Sequence, residues 1–171
     1  MRELRESAEM LASFDGAHGV RIVEKVLIYA FSEDLTRVLA FRQPDHPEAG
    51  IQIPAGTVEI GEKADHAARR EFREETGFEV PEPMVLVAQS VSDMREFKPE
   101  IHLRSWFAVR NHGDLLPERD WHHDEQTPDR ETLRYEYIWF GVESATGFIA
   151  GQGDLACEAR RCVEGIVQKG R

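Results

Sequence analysis

The segment from Gly56 to Phe78, GTVEIGEKADHAARREFREETGF, constrains this chain most, because it reads as a helix whose buried face changes character along its length. With Glu71 set at zero and about 100° per residue, Ala64, Ala67, Ala68, Glu74 and Glu75 fall within about 60° of it. Asp65, His66, Arg69 and Arg73 fall on the opposite side. The alanine stripe marks the face turned to a core, so the helix expected over Lys63 to Thr76 carries that face into three carboxylates. Gly77 stands where a left-handed C-terminal cap is expected.

A solvated, salt-bridged helix explains Arg70 and Glu74 as an i,i+4 pair. It does not explain Glu71 and Glu75, like charges at the same spacing that oppose the helix by about 0.2–0.5 kcal/mol in water. A divalent cation removes the conflict. With no cysteine or histidine on that face, the oxygen ligands suit Mg²⁺ or Mn²⁺ rather than Zn²⁺. Mg²⁺ is commonly held by a few carboxylates plus substrate phosphates, so the ligand set implies a phosphate substrate.

The spacing resembles the Nudix box, G-x5-E-x7-R-E-U-x-E-E-x-G-U with U apolar. Gly56, Glu62, Arg70, Glu71, Phe72, Glu74, Glu75, Gly77 and Phe78 occupy all nine fixed positions. The resemblance implies an α+β fold, an α/β/α sandwich with a mixed β-sheet. It implies that Glu74 and Glu75, with Glu71, are ligands of a divalent metal, Mg²⁺ or Mn²⁺, and that the Ala55 carbonyl adds a further one. It also implies that Arg70 orients the carboxylates and pairs with Glu62, with Gly56 allowing a tight turn and Phe72 and Phe78 in the core. The reaction implied is metal-assisted attack of water on a nucleoside diphosphate derivative.

The family places its general base either in the box or on a later carboxylate. Here the later loop offers Glu118, Asp120, Asp124, Glu125, Asp129, Glu131 and Glu136, ranked Glu131, then Glu125, then Glu136. Trp121 is a candidate for stacking on a nucleobase, whereas His122 and His123 read as exposed loop residues. Arg42 and Gln43, at a strand end before the site, are candidate substrate contacts by position, as is Gly56.

A net charge of −11 argues against nucleic-acid polymers and anionic membranes, since no Lys/Arg block exists to neutralise a phosphate backbone. A small nucleotide remains the expected ligand. The most apolar run, Val26 to Phe31, is too short to span a bilayer, and MRELRESAEM lacks the apolar core of a signal peptide, so a cytoplasmic protein is expected. Cys157 and Cys162 would lie about 140° apart on a C-terminal helix and are expected to be unpaired and partly buried.

Residues 1–15 read as a helix or tail and 16–171 as a single domain. Arg2 to Ser13 fits a short amphipathic helix or a tail. Strands are expected over Val20 to Phe31, Arg37 to Arg42, Ile51 to Pro54, Met84 to Val91, Ile101 to Val109 and Tyr135 to Phe140. Gln43 to Gly50 is expected to be a loop bordering the site, and Asn111 to Thr132 a long acidic loop. Trp106 and Trp139 are expected core residues. Strands on either side of an embedded helix, with a second helix at the end, also fit a mixed sheet between helices.

The preferred substrates are a nucleoside triphosphate or a dinucleoside polyphosphate. SVSDMREFKPE, beyond the box, has no tyrosine of the diadenosine polyphosphate type, and its Pro99 lies beyond the place of the ADP-ribose type proline. The runs typical of NADH and coenzyme A members are also missing. The alternative is a non-catalytic Nudix-fold module that senses a nucleotide. A diphosphate isomerase of the same fold lacks support, because neither cysteine lies near the box. A homodimer is common among such proteins.

Overall fold

The computed structural model describes residues 19–113, 115–126 and 130–169. Arg2 to Ser13 and Asp129 lie outside the described residues. Its elements are β1 (Arg21–Phe31), β2 (Arg37–Arg42), β3 (Ala55–Thr57), α1 (Ala64–Thr76), β4 (Val85–Asp93), β5 (Glu100–Arg110), β6 (Trp121–Gln126), β7 (Thr132–Gly141) and α2 (Ala156–Lys169). Short 3-10 turns occupy Pro47–Ala49, Val142–Gly147 and Ile149–Gly151.

The sheet runs β4-β5-β1-β2-β7-β6, with β3 also paired to β1. β1 and β5 are parallel, and the other pairings are antiparallel. One edge of β1 is divided: Phe31 pairs with Val38 of β2, while Lys25, Val26 and Leu27 pair with Thr57, Gly56 and Ala55 of β3. This division seats the beginning of the box against the central strand.

Alternation along β1 sends successive side chains to opposite faces of the sheet. Val26, Ile28 and Ala30 pack with Ala67, Ala68 and Phe72 of α1, together with Phe41, Tyr135 and Tyr137. Leu27, Tyr29 and Phe31 pack on the other face with Trp106 and with Ala159 and Val163 of α2. The two helices therefore cover opposite faces, the expected α/β/α sandwich on a mixed sheet. Phe72 is fully buried, so truncating it to alanine would cost about 3–5 kcal/mol.

Helix α1 starts after Lys63 and ends at Gly77, whose φ of 79° is left-handed and whose N–H bonds the Arg73 carbonyl. The first hairpin also forms where expected. Ile51 to Pro54 does not form the short strand read from sequence: Gln52 makes one bridge to Phe41, and pairing resumes only at Ala55. Pro54 has no N–H for the ladder, and its carbonyl accepts from the Ile28 N–H at 2.8 Å.

The larger correction concerns the expected loop from Asn111 to Thr132. Trp121–Gln126 is an edge strand, pairing Trp121 with Tyr137, His123 with Tyr135 and Glu125 with Leu133. Its residues alternate half-buried and exposed, so His122 and His123 lie in a strand rather than a loop. Trp106 is buried, and Trp139 packs against the α1-side core. Cys157 and Cys162 are free and half-buried. Among the described residues, no helix is long and apolar enough to cross a membrane.

Candidate active site

The end of α1 and the strand β3 build the site together. Glu71 Oε1 accepts the Thr57 N–H at 3.0 Å, and Glu75 Oε2 accepts the Ala55 N–H at 2.9 Å, so two carboxylates one helical turn apart clasp β3. A Cβ added at Gly56, between those donors, would lie 1.8 Å from Glu71 Cδ. Gly56 does not have a positive φ. Its glycine is therefore required by the approach of Glu71, not by the tight turn expected from sequence.

Arg70 organises the acidic groups. Its Nε and Nη2 donate to Glu62 Oε1 and Oε2 at 3.0 and 2.9 Å, the expected bidentate pair. Nη1 lies 2.9 Å from Glu71 Oε1 and 3.0 Å from Glu74 Oε2, and Nη2 also donates to the Thr57 carbonyl at 3.0 Å. The Arg70 hydrogen bonds hold the Glu62 carboxyl down at about 2. One guanidinium thus ties the box loop to the helix.

Burial orders the three box carboxylates. Glu75 is buried, Glu71 has 14% of its side chain exposed and Glu74 has 42%. Desolvation pushes Glu75 well above the usual carboxylate range against the Ala55 N–H, and the charges of Glu71 and Glu125 push it further. Desolvation likewise raises Glu71, while Arg70 opposes the rise. The charge of Glu75 adds to the burial that raises Tyr135 and Tyr137.

A cavity of about 740 Å³ opens beside these groups, lined by Glu59, Arg70, Glu71, Glu74, Asp124 and Glu125, with Thr57, His123 and Gln126. Phosphate oxygens entering a space with this excess of carboxylates need an intervening cation. Among the described residues, no three His, Cys, Asp or Glu side chains converge to hold a metal by themselves. The donor set still fits Mg²⁺ or Mn²⁺: the buried Glu75 and half-buried Glu71 repel each other, Glu74 shares Arg70 with Glu71, and such ions complete their shells with water and phosphate oxygens.

The three base candidates are placed differently. Glu125 points from β6 toward the box, accepts the Tyr135 hydroxyl at 2.8 Å and lines the acidic cavity. Glu136 accepts from Arg42 Nε at 2.7 Å and, with Arg42 and Trp121, lines a separate cavity of about 470 Å³. Glu131 is exposed next to β7 and lines neither cavity. Gln43 follows β2 and lines neither cavity. The Trp121 ring stacks on Tyr137 at 4.8 Å, meets Phe78 edge-on at 5.6 Å and donates through Nε1 to the Thr76 carbonyl at 3.3 Å.

Sequence reasoning missed Tyr135, which carries Glu125, and a basic group around Lys25 and Arg104 behind β3. The pairing of β6 with β7 would have supplied the first, because its register sets Tyr135 opposite His123 and so diagonal to Glu125 on the same face. For the second, the signal was a charged residue at an inward position of two buried strands.

A family model of the NUDIX domain matches residues 22–157, most of the chain, and the chain belongs to that family. No curated protein matches it. Among solved structures, the NUDIX domain of Shewanella oneidensis NrtR, complexed with ADP ribose, is 15% identical with a TM-score of 0.60, covering 91% of this chain and 97% of that one. A MutT protein from Methanosarcina mazei Go1 is 16% identical at a TM-score of 0.60, covering 85% and 97%. A NUDIX hydrolase from Nitrosomonas europaea is 20% identical at a TM-score of 0.60, covering 83% and 90%. At these identities the likeness establishes the fold.

Proposed function

We propose that this protein is a divalent-metal-dependent pyrophosphohydrolase that cleaves the diphosphate linkage of a nucleoside diphosphate derivative, a nucleoside triphosphate or dinucleoside polyphosphate being preferred. The observation that carries the reading is the clasp of Glu71 and Glu75 on β3, with Arg70 locking Glu62 and Glu74 around it. Family membership and the neighbour that holds ADP ribose support a nucleotide ligand.

Glu71, Glu74, Glu75 and the Ala55 carbonyl would hold Mg²⁺ or Mn²⁺. When bound, the ion neutralises the diphosphate, polarises the attacked phosphoryl and lowers the pKa of water. The remaining work falls to this chain. Arg70 fixes the carboxylates before substrate arrives, so little reorganisation is needed. Glu125 takes the place of general base ahead of Glu131 and Glu136, because it alone of the three lines the cavity shared with Glu71 and Glu74. The hydroxyl of Tyr135 holds Glu125 in that position.

The test is incubation with Mg²⁺ or Mn²⁺ and a panel of nucleoside triphosphates, nucleotide sugars and dinucleoside polyphosphates, with products resolved by ³¹P NMR. Metal-dependent release of a phosphate product from at least one compound is expected. Binding without turnover of any compound would favour the nucleotide-sensing alternative.

A further inference from the structure

β3 stands between two cavities of opposite character. Thr57 lines the acidic one, whereas Ala55 and Gly56 line a second cavity of about 240 Å³ on the α2 side of the sheet. Lys25, His102 and Arg104 contribute the ionisable groups to its wall, with Gln52, Gln152 and Met94 beside them; among the described residues no carboxylate lines it.

Lys25 and Arg104 are cross-strand partners in the parallel pair β1 and β5, so two cations stand directly opposite each other. Arg104 is 9% exposed. Its Nη1 donates to the Ala150 carbonyl at 2.9 Å, its Nη2 approaches Met94 Sδ at 3.8 Å and its guanidinium lies 5.9 Å from the centre of the Trp106 ring, so none of these partners carries a formal charge. Lys25 Nζ donates to the Thr57 hydroxyl. Among the described residues neither cation is within ion-pair distance of a carboxylate, and Asp154, Glu71, Glu75 and Glu100 act on them only from further away. Arg42 and Arg134, which line the cavity beside Trp121, by contrast have Glu136 and Asp124 at 2.7 and 3.0 Å.

A buried guanidinium without a counter-ion, facing a second cation across a cavity, is costly unless an anion enters. Arg104 retains N–H donors that the Ala150 carbonyl and Met94 Sδ do not use. Among the described residues the lining carries no Phe, Tyr or Trp ring on which a nucleobase would stack. We propose that this basic cavity binds a phosphate of the substrate, with Lys25 and Arg104 as specificity-determining residues. The preferred substrate is therefore a nucleotide whose polyphosphate ends in or continues through a further phosphate, rather than one whose diphosphate leads to an uncharged sugar. The assignment of that anion to the substrate rests on the pyrophosphohydrolase reading. The binding itself does not require turnover.

Calorimetric titration of the metal-free full chain with inorganic tripolyphosphate and, separately, with adenosine tests this. Without metal the acidic cavity repels the polyanion, so the titration reads the basic one. The wild type should bind tripolyphosphate and not adenosine, and Lys25→Gln and Arg104→Gln should each weaken that binding about tenfold or more. Lys25 is only half-buried, which keeps the test intact if Arg104→Gln fails to fold. Tripolyphosphate affinity unchanged in Lys25→Gln, or adenosine binding that Lys25→Gln abolishes, would overturn the proposal. Failed hydrolysis with Lys25-dependent tripolyphosphate binding intact would count against the hydrolase reading alone.

Discussion

Gly56→Ala separates the site's function from its stability. The added methyl would lie 1.8 Å from Glu71 Cδ, where ordinary contact begins at 3.4 Å, so the carboxyl must withdraw by the difference, about 1.6 Å. Gly56 lacks a positive φ, so alanine is compatible with the backbone, and the glutamate is free to swing away. Swinging away breaks the Thr57 N–H bond at 3.0 Å and the Arg70 contact at 2.9 Å. The lost hydrogen bond from Thr57 to the carboxylate costs about 1.5–3 kcal/mol, the Arg70 contact adds little because that guanidinium keeps Glu62 and Glu74, and alanine restores about 0.4–1 kcal/mol by restricting the unfolded chain. The net loss of about 1–2 kcal/mol lowers Tm by about 2–8 °C for a chain of this length. The same displacement, by more than 1 Å, of a carboxylate proposed to hold the metal should lower kcat/KM about 100-fold. Circular-dichroism melts and steady-state hydrolysis on one preparation read both quantities. Near wild-type kcat/KM would show that the position of Glu71 does not matter to the reaction, and a variant that no longer folds would show that the clash is not relieved by the side chain.

Arg70→Lys keeps the charge but loses the fork that spans Glu62, Glu71 and Glu74, and should reduce activity or metal affinity about 10–100-fold; an unchanged metal titration would count against its organising role. Trp121→Ala removes a ring packed on Tyr137 and Phe78 and should cost about 3 kcal/mol in chemical denaturation, and a loss of substrate affinity without destabilisation would instead restore the stacking role read from sequence. Asp34 is held down at about 2 by the Ser32 hydroxyl, then by the N–H and hydroxyl of Thr36. Its folded pKa lies below the unfolded value of 3.8, so the stability it adds is present above about pH 4 and is lost as pH falls toward 2. Urea titrations of wild type and Asp34→Ala should converge over that window, and a stability gap that widens in acid would contradict the sign.

Much of the site was legible because helical periodicity alone brings Glu71, Glu74 and Glu75 to one side of α1, and the cap at Gly77 is a local conformational demand met by glycine. The exposure of Glu74 was not legible, since it depends on where the stripe meets β3 and on the pull of Arg70. β6 was missed for a different reason. WHHDEQ carries little of the β-branched composition expected of strands, and it is ordered by an edge pairing with β7 that lies outside its own sequence. That pairing is what carries Glu125 to the acidic cavity while Glu131 stays at the surface. The basic cavity needed more still, because Lys25 and Arg104 meet through the parallel register of strands separated by most of the fold.

The Glu71 and Glu75 clasp on β3 is proposed to support metal-dependent cleavage of a diphosphate. The most direct test is the Mg²⁺ dependence of hydrolysis in wild type and in Glu75→Gln, whose amide keeps the size of the side chain and its contact with the Ala55 N–H. Saturable activation by Mg²⁺ in the wild type, and a loss of at least about 100-fold in kcat for a folded Glu75→Gln, is the predicted result. Hydrolysis that persists in EDTA, or that Glu75→Gln leaves undiminished, would contradict it.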